Sequence, residues 1–176
     1  MTEQSFRLLA EDEIESFRCR TPIVEGVLGY WNRLRSGRPA PLRRDVEPVD
    51  LKTFLPHLFM VDISHEPFRA KYRLVGTEIV RFARFDFTNR YADELYFQDD
   101  VGTDWNDCYR QVAEHGRPGF GISHWTVDDA SLRWIEFIIC PLLTDDRKIG
   151  QCLAAEDYQP LNVVELDSIR PVRPVD

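Results

Sequence analysis

The sequence predicts an α+β fold: a five-stranded antiparallel sheet with short helices on one face and an N-terminal amphipathic helix. Apolar residues recur at helical spacing after Thr21, two strand-like segments flank the turn SHEP, and three more strand-like segments follow one another towards the C-terminus. Strands that are joined by short turns pair antiparallel. The first two strands therefore predict a hairpin and the last three a meander.

Length and charge limit the class of protein. The chain has 176 residues, which suits one domain. Its formal net charge of -8 produces a field that repels nucleic acid and anionic lipid. Acidic residues near the start do not fit a signal peptide, and no apolar stretch is long enough to span a membrane. We therefore expect a cytoplasmic protein that binds neither nucleic acid nor membrane.

The N-terminal part divides into two segments. Residues 1–21 are polar and predict a flexible or short helical N-terminus, and residues 22–36 predict the amphipathic helix. Thr21 suits the N-cap and Pro22 the first helical position. The apolar stripe of this helix needs burial against the open face of the sheet, either in its own chain or across a dimer. We predict that it forms a dimer or partner helix through Val27, Leu28, Trp31 and Leu34.

The hairpin strands are LFMVDI and FRAKYRLV, and the second alternates apolar with basic residues, so that one face is buried. It runs into a structural corner in the segment YRLVGTEI. Gly76 can adopt a positive φ there, and Thr77 can cap the helix that begins at Glu78.

The C-terminal half contains the longest remaining helix and the meander. Trp105, Cys108, Tyr109 and Val112 fall on one side of a helix that Asp104 or Thr103 caps and Gly116 ends. Strands follow in GFGISHWTV, LRWIEFIICPLL and KIGQCLAAEDY, and the second has apolar residues on both faces, which predicts a central strand. Residues 22–160 thus form one domain, and residues 161–176 form a C-terminal tail.

Five short motifs in this order resemble the PAS domains of bacterial proteins in which one such domain makes up most of the chain. They are YWNRLRSGR, PLRRD, LPHLFMVD, YRLVGTEI and DFTN. The resemblance implies that short helices fold over the concave sheet and enclose a small cavity. Arg84 and Asn89 stand where the family tends to have glycines. Asn89 tolerates the left-handed region, whereas Arg84 does so only at a cost.

An aromatic set suggests the lining of such a cavity, although a filled core would have the same pattern. We predict the following pocket residues: Tyr72, Phe82, Phe87, Tyr109, His115, Phe137 and Ile139. His115 is the one histidine placed to reach haem, but the dipole at the end of its helix explains it equally well. Flavin photoreceptors of this fold share an Asn-Cys-Arg-Phe-Leu-Gln stretch that this sequence lacks. We therefore predict no cofactor, neither haem nor flavin, and no metal.

The resemblance implies a non-enzymatic sensory or regulatory module. It would bind a small ligand, a signalling protein or both, and would signal through a homodimer or partner association. The alternative is a small cavity enzyme of the α+β cone type that uses a buried carboxylate such as Glu136 or a His-Asp pair. If Glu136 is buried it must be protonated or paired, with Arg133 or Arg73 as the expected partner. Cone folds lack short helices between strands two and three, so the presence of such helices distinguishes the PAS-like fold from the cone type.

Overall fold

The computed structural model describes residues 5–95, 103–126 and 132–160. Within these ranges one antiparallel sheet carries helices on both faces. The helices are α1 (Pro22–Arg35), α2 (Thr77–Ala83) and α3 (Trp105–His115). The strands are β1 (Ser5–Leu8), β2 (Leu58–His65), β3 (Phe68–Val75), β4 (Gly119–Thr126), β5 (Leu132–Leu143) and β6 (Ile149–Pro160). None of the helices in the described ranges is both long and apolar enough to cross a membrane.

The strand order confirms the predicted α+β fold and corrects one element of it. The order is β1-β4-β5-β6-β2-β3, so β2 and β3 form the predicted hairpin, β4 to β6 form the meander, and β5 is central. The described sheet has six strands and not five, because Ser5–Leu8 pairs with β4 in a segment that we expected to be flexible or helical. The predicted tail, residues 161–176, lies outside the described residues.

Helix α1 packs on β5 and β6 of its own chain. The hydroxyl of Thr21 accepts a hydrogen bond from the N–H of Val24 at 3.4 Å, which confirms the predicted cap. Trp31 is completely buried, and its indole N–H donates to the carbonyl oxygen of Pro141 at 2.7 Å. Val27 and Leu28 are buried beside it and Leu34 is half-buried against the same core. These side chains cover the sheet within their own chain. That they form a dimer or partner helix stays a prediction.

Helices α2 and α3 lie on the opposite face. Successive residues of a strand point to opposite faces, so Phe137 faces α3 while Glu136 faces the side of α1. The carboxylate of Asp104 accepts from the N–H of Asp107 at 2.9 Å at the start of α3, and Gly116 ends the helix with φ 64°. Both ends of α3 are therefore as predicted.

The corner exists as predicted, but its physical reason is different. Gly76 has φ -66°, a value open to any residue, and not the positive φ that we expected. A Cβ here would lie 2.6 Å from the carbonyl oxygen of Leu55 and would overlap that of Pro56. Glycine is thus required by a close approach of two backbone segments. Thr77 is the first residue of α2 and not its N-cap.

The loop after α2 shows that the replaced glycines are tolerated. Arg84 takes the left-handed region with φ 66°, and its N–H donates to the carbonyl oxygen of Val80 at 2.8 Å, which ends α2. Asn89 also takes this region, with φ 69°, as expected. The backbone N–H of Asn89 donates to the carbonyl oxygen of Tyr72, and the backbone N–H of Tyr72 donates to the carbonyl oxygen of Arg90. This loop therefore pairs with the outer edge of β3.

Candidate functional site

A small cavity lies between α2, α3 and the sheet. Its volume is about 20 Å³, which is room for a single water molecule. The side chains around it are mostly aromatic. They are Phe59, Tyr72, Ile79, Phe82, Ala83, Phe87, Trp105, Glu156 and Tyr158.

Ring contacts close this cavity. The rings of Phe82 and Tyr158 stack with centroids 4.0 Å apart and planes 10° apart, which joins α2 to β6. On the other side, Tyr72 meets Phe87 edge-on at 4.9 Å. Such aromatic pairs add to the stability that burial alone gives. The rings around the cavity are in contact with one another, and these contacts keep its volume small.

One carboxylate lies in this aromatic wall. Glu156 is 9% exposed, and the Tyr158 hydroxyl donates to its Oε2 at 2.7 Å. Burial, and then the nearby Glu156 carboxylate, raises the pKa of Tyr158 well above its usual value. Burial also raises the pKa of Tyr109, to which Tyr72 and Glu156 add. Both phenols therefore remain protonated hydrogen-bond donors at neutral pH.

Of the seven predicted pocket residues, three line the cavity, one lies just behind it and three lie elsewhere. Tyr72, Phe82 and Phe87 line the cavity. Tyr109 lies behind Tyr72, with ring centroids 6.0 Å apart. The other three lie elsewhere: His115 is exposed, with Nδ1 2.9 Å from the carbonyl oxygen of Gln111, Ile139 is in the core, and Phe137 lines a separate cleft.

Six lining residues were not predicted, namely Phe59, Ile79, Ala83, Trp105, Glu156 and Tyr158. The spacing of Glu156 and Tyr158 gave a usable signal, because residues two apart on a strand share a face. Which face that is depends on the pairing of β6 with its neighbours, and the sequence does not specify it.

The carboxylate of Glu136 is not part of the cavity. It is fully buried on the side of α1, and its two oxygens accept from the backbone N–H groups of Arg20 and Thr21, each at 2.7 Å. Burial raises its pKa, while these hydrogen bonds act in the opposite direction. The predicted partner Arg73 instead donates to Asp62 at 3.2 Å. Glu136 therefore anchors the start of α1.

Among the described residues, one His-Asp pair has the kind of contact that the enzyme alternative requires. Nδ1 of His57 lies 3.8 Å from Oδ1 of Asp157, but only 2.9 Å from the carbonyl oxygen of Glu156. Asp157 points to the other face of β6 from Glu156, because the two are adjacent in the strand. In the described parts of the chain, no group of three histidine, cysteine or acidic side chains is placed to hold a metal ion.

Comparison with known proteins gives a family and a fold. A PAS domain family profile matches residues 20–154. No sequence of a curated protein matches the chain. Among solved structures, an RNA-binding light-oxygen-voltage receptor is 12% identical with a TM-score of 0.51, and the match covers 95% of this chain and 40% of that one. This likeness is one of fold.

Two further structures have lower TM-scores. A light-oxygen-voltage domain studied with a flavin analogue is 12% identical, covers 67% of this chain and 86% of that one, and has a TM-score of 0.49. The light state of the Aureochrome1 light-oxygen-voltage domain is 10% identical, covers 68% of this chain and 91% of that one, and has a TM-score of 0.46.

The comparison of folds corrects the prediction about cofactors. We expected flavin to be unlikely because the sequence lacks the stretch that flavin photoreceptors share. The structure with a TM-score of 0.51 is nevertheless a light-oxygen-voltage receptor, and light-oxygen-voltage domains bind flavin. The absence of that stretch was therefore the wrong ground for calling flavin unlikely, because this fold also occurs in flavin-binding domains.

Proposed function

Because the chain belongs to the PAS domain family, we propose that it is a sensory or regulatory module that acts by binding and not by catalysis. The aromatic cavity with its buried carboxylate is the observation that carries this proposal. A few polar groups that converge in an apolar pocket are typical of small-molecule sites. The ligand is a small apolar or aromatic molecule held between α2 and β6.

Binding requires α2 to move. The cavity of about 20 Å³ holds nothing larger than water, so a ligand separates the stacked rings of Phe82 and Tyr158. The isoalloxazine ring of a flavin, the cofactor of the light-oxygen-voltage neighbours, needs the same separation. Phe82 is on α2, and α2 packs on the turn formed by Leu55–His57. A ligand that prefers the open arrangement therefore changes the position of α2 against this turn.

The output is association with a protein partner or a second copy. Leu55 and Leu74 flank the corner and are 38% and 41% exposed, although both are large and apolar. They offer a contact surface that would change when α2 moves.

Thermal denaturation in the presence of a set of small metabolites tests this function. A ligand at about 100 times its Kd stabilises the folded state by about 2.7 kcal/mol, which is a measurable rise in Tm. We expect at least one compound to raise Tm of the wild type and to lose most of this effect in Glu156→Gln, which removes the charge but keeps the shape. Phe85→Leu serves as the control, since Phe85 is 43% exposed and outside the cavity lining.

Two results would contradict the proposal. Either no compound stabilises the wild type, or the stabilising compounds act equally on Glu156→Gln. An absorption spectrum of the purified protein shows at the same time whether a flavin is retained.

A further inference from the structure

A second cleft lies between β1, the first half of α3 and the sheet. Its volume is about 210 Å³, or about seven times the share of one molecule in liquid water, which is enough for a single-ring molecule. It is thus about ten times larger than the central cavity. The side chains around it are Phe6, Thr103, Asp104, Asp107, Cys108, Gln111, Ile122 and Phe137.

The cleft has an apolar floor. Phe137 and Cys108 are 2% and 5% exposed. The rings of Phe6 and Phe137 are parallel within 5°, with centroids 6.1 Å apart. Phe6 lies directly over the strand backbone, since a Cβ on Gly119 would come within 2.5 Å of its ring. This floor suits a flat apolar ring.

The rim consists mainly of hydrogen-bond acceptors. Asp104 and Asp107 are carboxylates, which only accept when ionised. Asp107 already accepts from Arg110 at 3.0 Å and from the Gln111 amide at 2.8 Å, but each carboxylate oxygen has a second acceptor site. A ligand that fits this rim therefore donates N–H groups.

The local charge also favours a donor. The two carboxylates contribute two negative charges. Arg110 contributes one positive charge, and the N-terminus of α3 contributes about half a positive charge. The sum is weakly negative. It disfavours anions and gives a protonated amine a modest advantage over a neutral molecule of the same shape.

The cleft also links β1 to the rest of the domain. Phe6 belongs to β1, whereas the acidic rim belongs to α3 and Phe137 to β5. A ligand in the cleft contacts all three elements at once. It therefore binds only when β1 is paired with β4, and its binding opposes the detachment of this four-residue edge strand.

We infer that the cleft between β1 and α3 is a second binding site, which takes a small molecule with an apolar ring and a protonated amine and thereby holds β1 on the sheet. This site is distinct from the central cavity, because the two share no lining residue and the cleft requires no movement of α2.

NMR titration of the full chain with benzylamine tests the site. Benzyl alcohol and benzoate have a similar shape and serve as the neutral and anionic controls. We expect benzylamine to shift the amide signals of Phe6, Gln111 and Ile122 with a Kd on the order of 1 mM, as is usual for so small a ligand. Benzyl alcohol should bind several-fold more weakly, and benzoate should not bind.

A matched pair of variants isolates the carboxylate. Asp107→Asn keeps the shape and the acceptor for Gln111, and we expect it to weaken benzylamine binding about 5- to 10-fold, which is within the net range of one hydrogen bond. Glu114→Gln removes the same charge from an exposed position on α3 outside the cleft and should leave Kd unchanged. Equal loss in both variants, or equal binding of benzylamine and benzyl alcohol, would overturn the assignment.

Hydrogen exchange tests the link to β1. The N–H of Leu9 donates to the carbonyl oxygen of Pro118 at 2.8 Å, directly after β1. With benzylamine at ten times its Kd, exchange of this amide should slow about 10-fold, and unchanged exchange in the bound protein would overturn the coupling. Shifts confined to Phe59, Ile79 and Tyr158 would place the probe in the central cavity, which would support the proposed function and contradict this site.

Discussion

At Gly76 the backbone of the corner touches the backbone of the preceding turn, and this contact decides which residue can stand there. Gly76→Ala places a Cβ against the carbonyl groups of Leu55 and Pro56, neither of which can swing aside. We expect a loss of about 2–3 kcal/mol in the free energy of unfolding, in the range of overpacked cores. Urea denaturation measures it.

Gly29→Ala is the matched control for this prediction. Gly29 lies inside α1, and the nearest atom to an added Cβ is the Arg33 side chain at 3.6 Å. Because alanine favours a helix more than glycine, this variant should be up to about 1 kcal/mol more stable than the wild type. If both variants were equally stable, close approach would not be the reason for glycine at the corner.

Glu136 gives the fold a pH dependence with a defined sign. Its pKa in the folded chain is raised, so folding favours its protonated form. Its contribution to stability is therefore complete below the unfolded pKa of about 4.3 and is lost as the pH rises through the folded value.

Glu136→Gln should be less stable than the wild type by about 1–3 kcal/mol near pH 4, because one of two buried N–H donors loses its acceptor. This difference should shrink as the pH rises. Urea denaturation at several pH values measures it, with Glu114→Gln as an exposed control. A difference that grows with pH would show that the folded pKa is lowered.

Single residues show where sequence reasoning stops. The position of the corner was predictable because a glycine directly follows an alternating strand, but its cause lay in the turn at Leu55, about twenty residues earlier in the chain. Similarly, the burial of Glu136 was predictable from the apolar residues around it. Its partners were not, because backbone N–H groups are present at every residue and leave no mark in a sequence.

Among the elements, α1 packs its apolar stripe against the sheet of its own chain. This packing explains the spacing of the apolar residues in α1 without a contact to a second copy of the chain. Trp31→Ala should lower the free energy of unfolding by about 3–5 kcal/mol, since it leaves a cavity and removes the donor to Pro141. Chemical denaturation measures this change, and Arg33→Ala on the exposed side should stay within about 0.5 kcal/mol of the wild type. A small effect of Trp31→Ala would mean that α1 is not docked.

The elements were predictable in proportion to their length. The segments of α1, β3 and β5 carry 8 to 14 residues of consistent periodicity, and each was predicted within a residue or two. The 4 residues of β1 alternate Phe6 and Leu8 with polar neighbours, which is too short a pattern to distinguish from a turn. Only the edge of β4 makes them a strand.

For the whole molecule, charge predicts that RNA is not bound, although one structural neighbour is an RNA-binding receptor. The net charge is -8, and the arginines after α1 include Arg38 and Arg44, which pair with Asp45 and Asp145. We expect no shift of a mixed-sequence RNA in a gel at about 0.1 M salt, because nonspecific binding needs a basic surface. A shift that weakens as salt is added would contradict this prediction.

For the cavity as a whole, the sequence predicted the aromatic character but only some of the lining residues. An aromatic cavity under α2 followed from the resemblance, and Tyr72, Phe82 and Phe87 line it. Its size did not follow, because the volume left between packed rings depends on fractions of an ångström in their positions. The cleft beneath β1 was not predictable at all, since β1 itself was not.

Native mass spectrometry of the purified protein tests the central claim, that this chain acts by binding a small molecule in the cavity between α2 and β6. We expect a folded species whose mass exceeds that of the chain by one small molecule, with the excess lost on denaturation and reduced in Glu156→Gln. The same spectrum reports whether one or two chains associate. A wild-type protein that carries no small molecule, and that gains none from a metabolite extract, would contradict the claim.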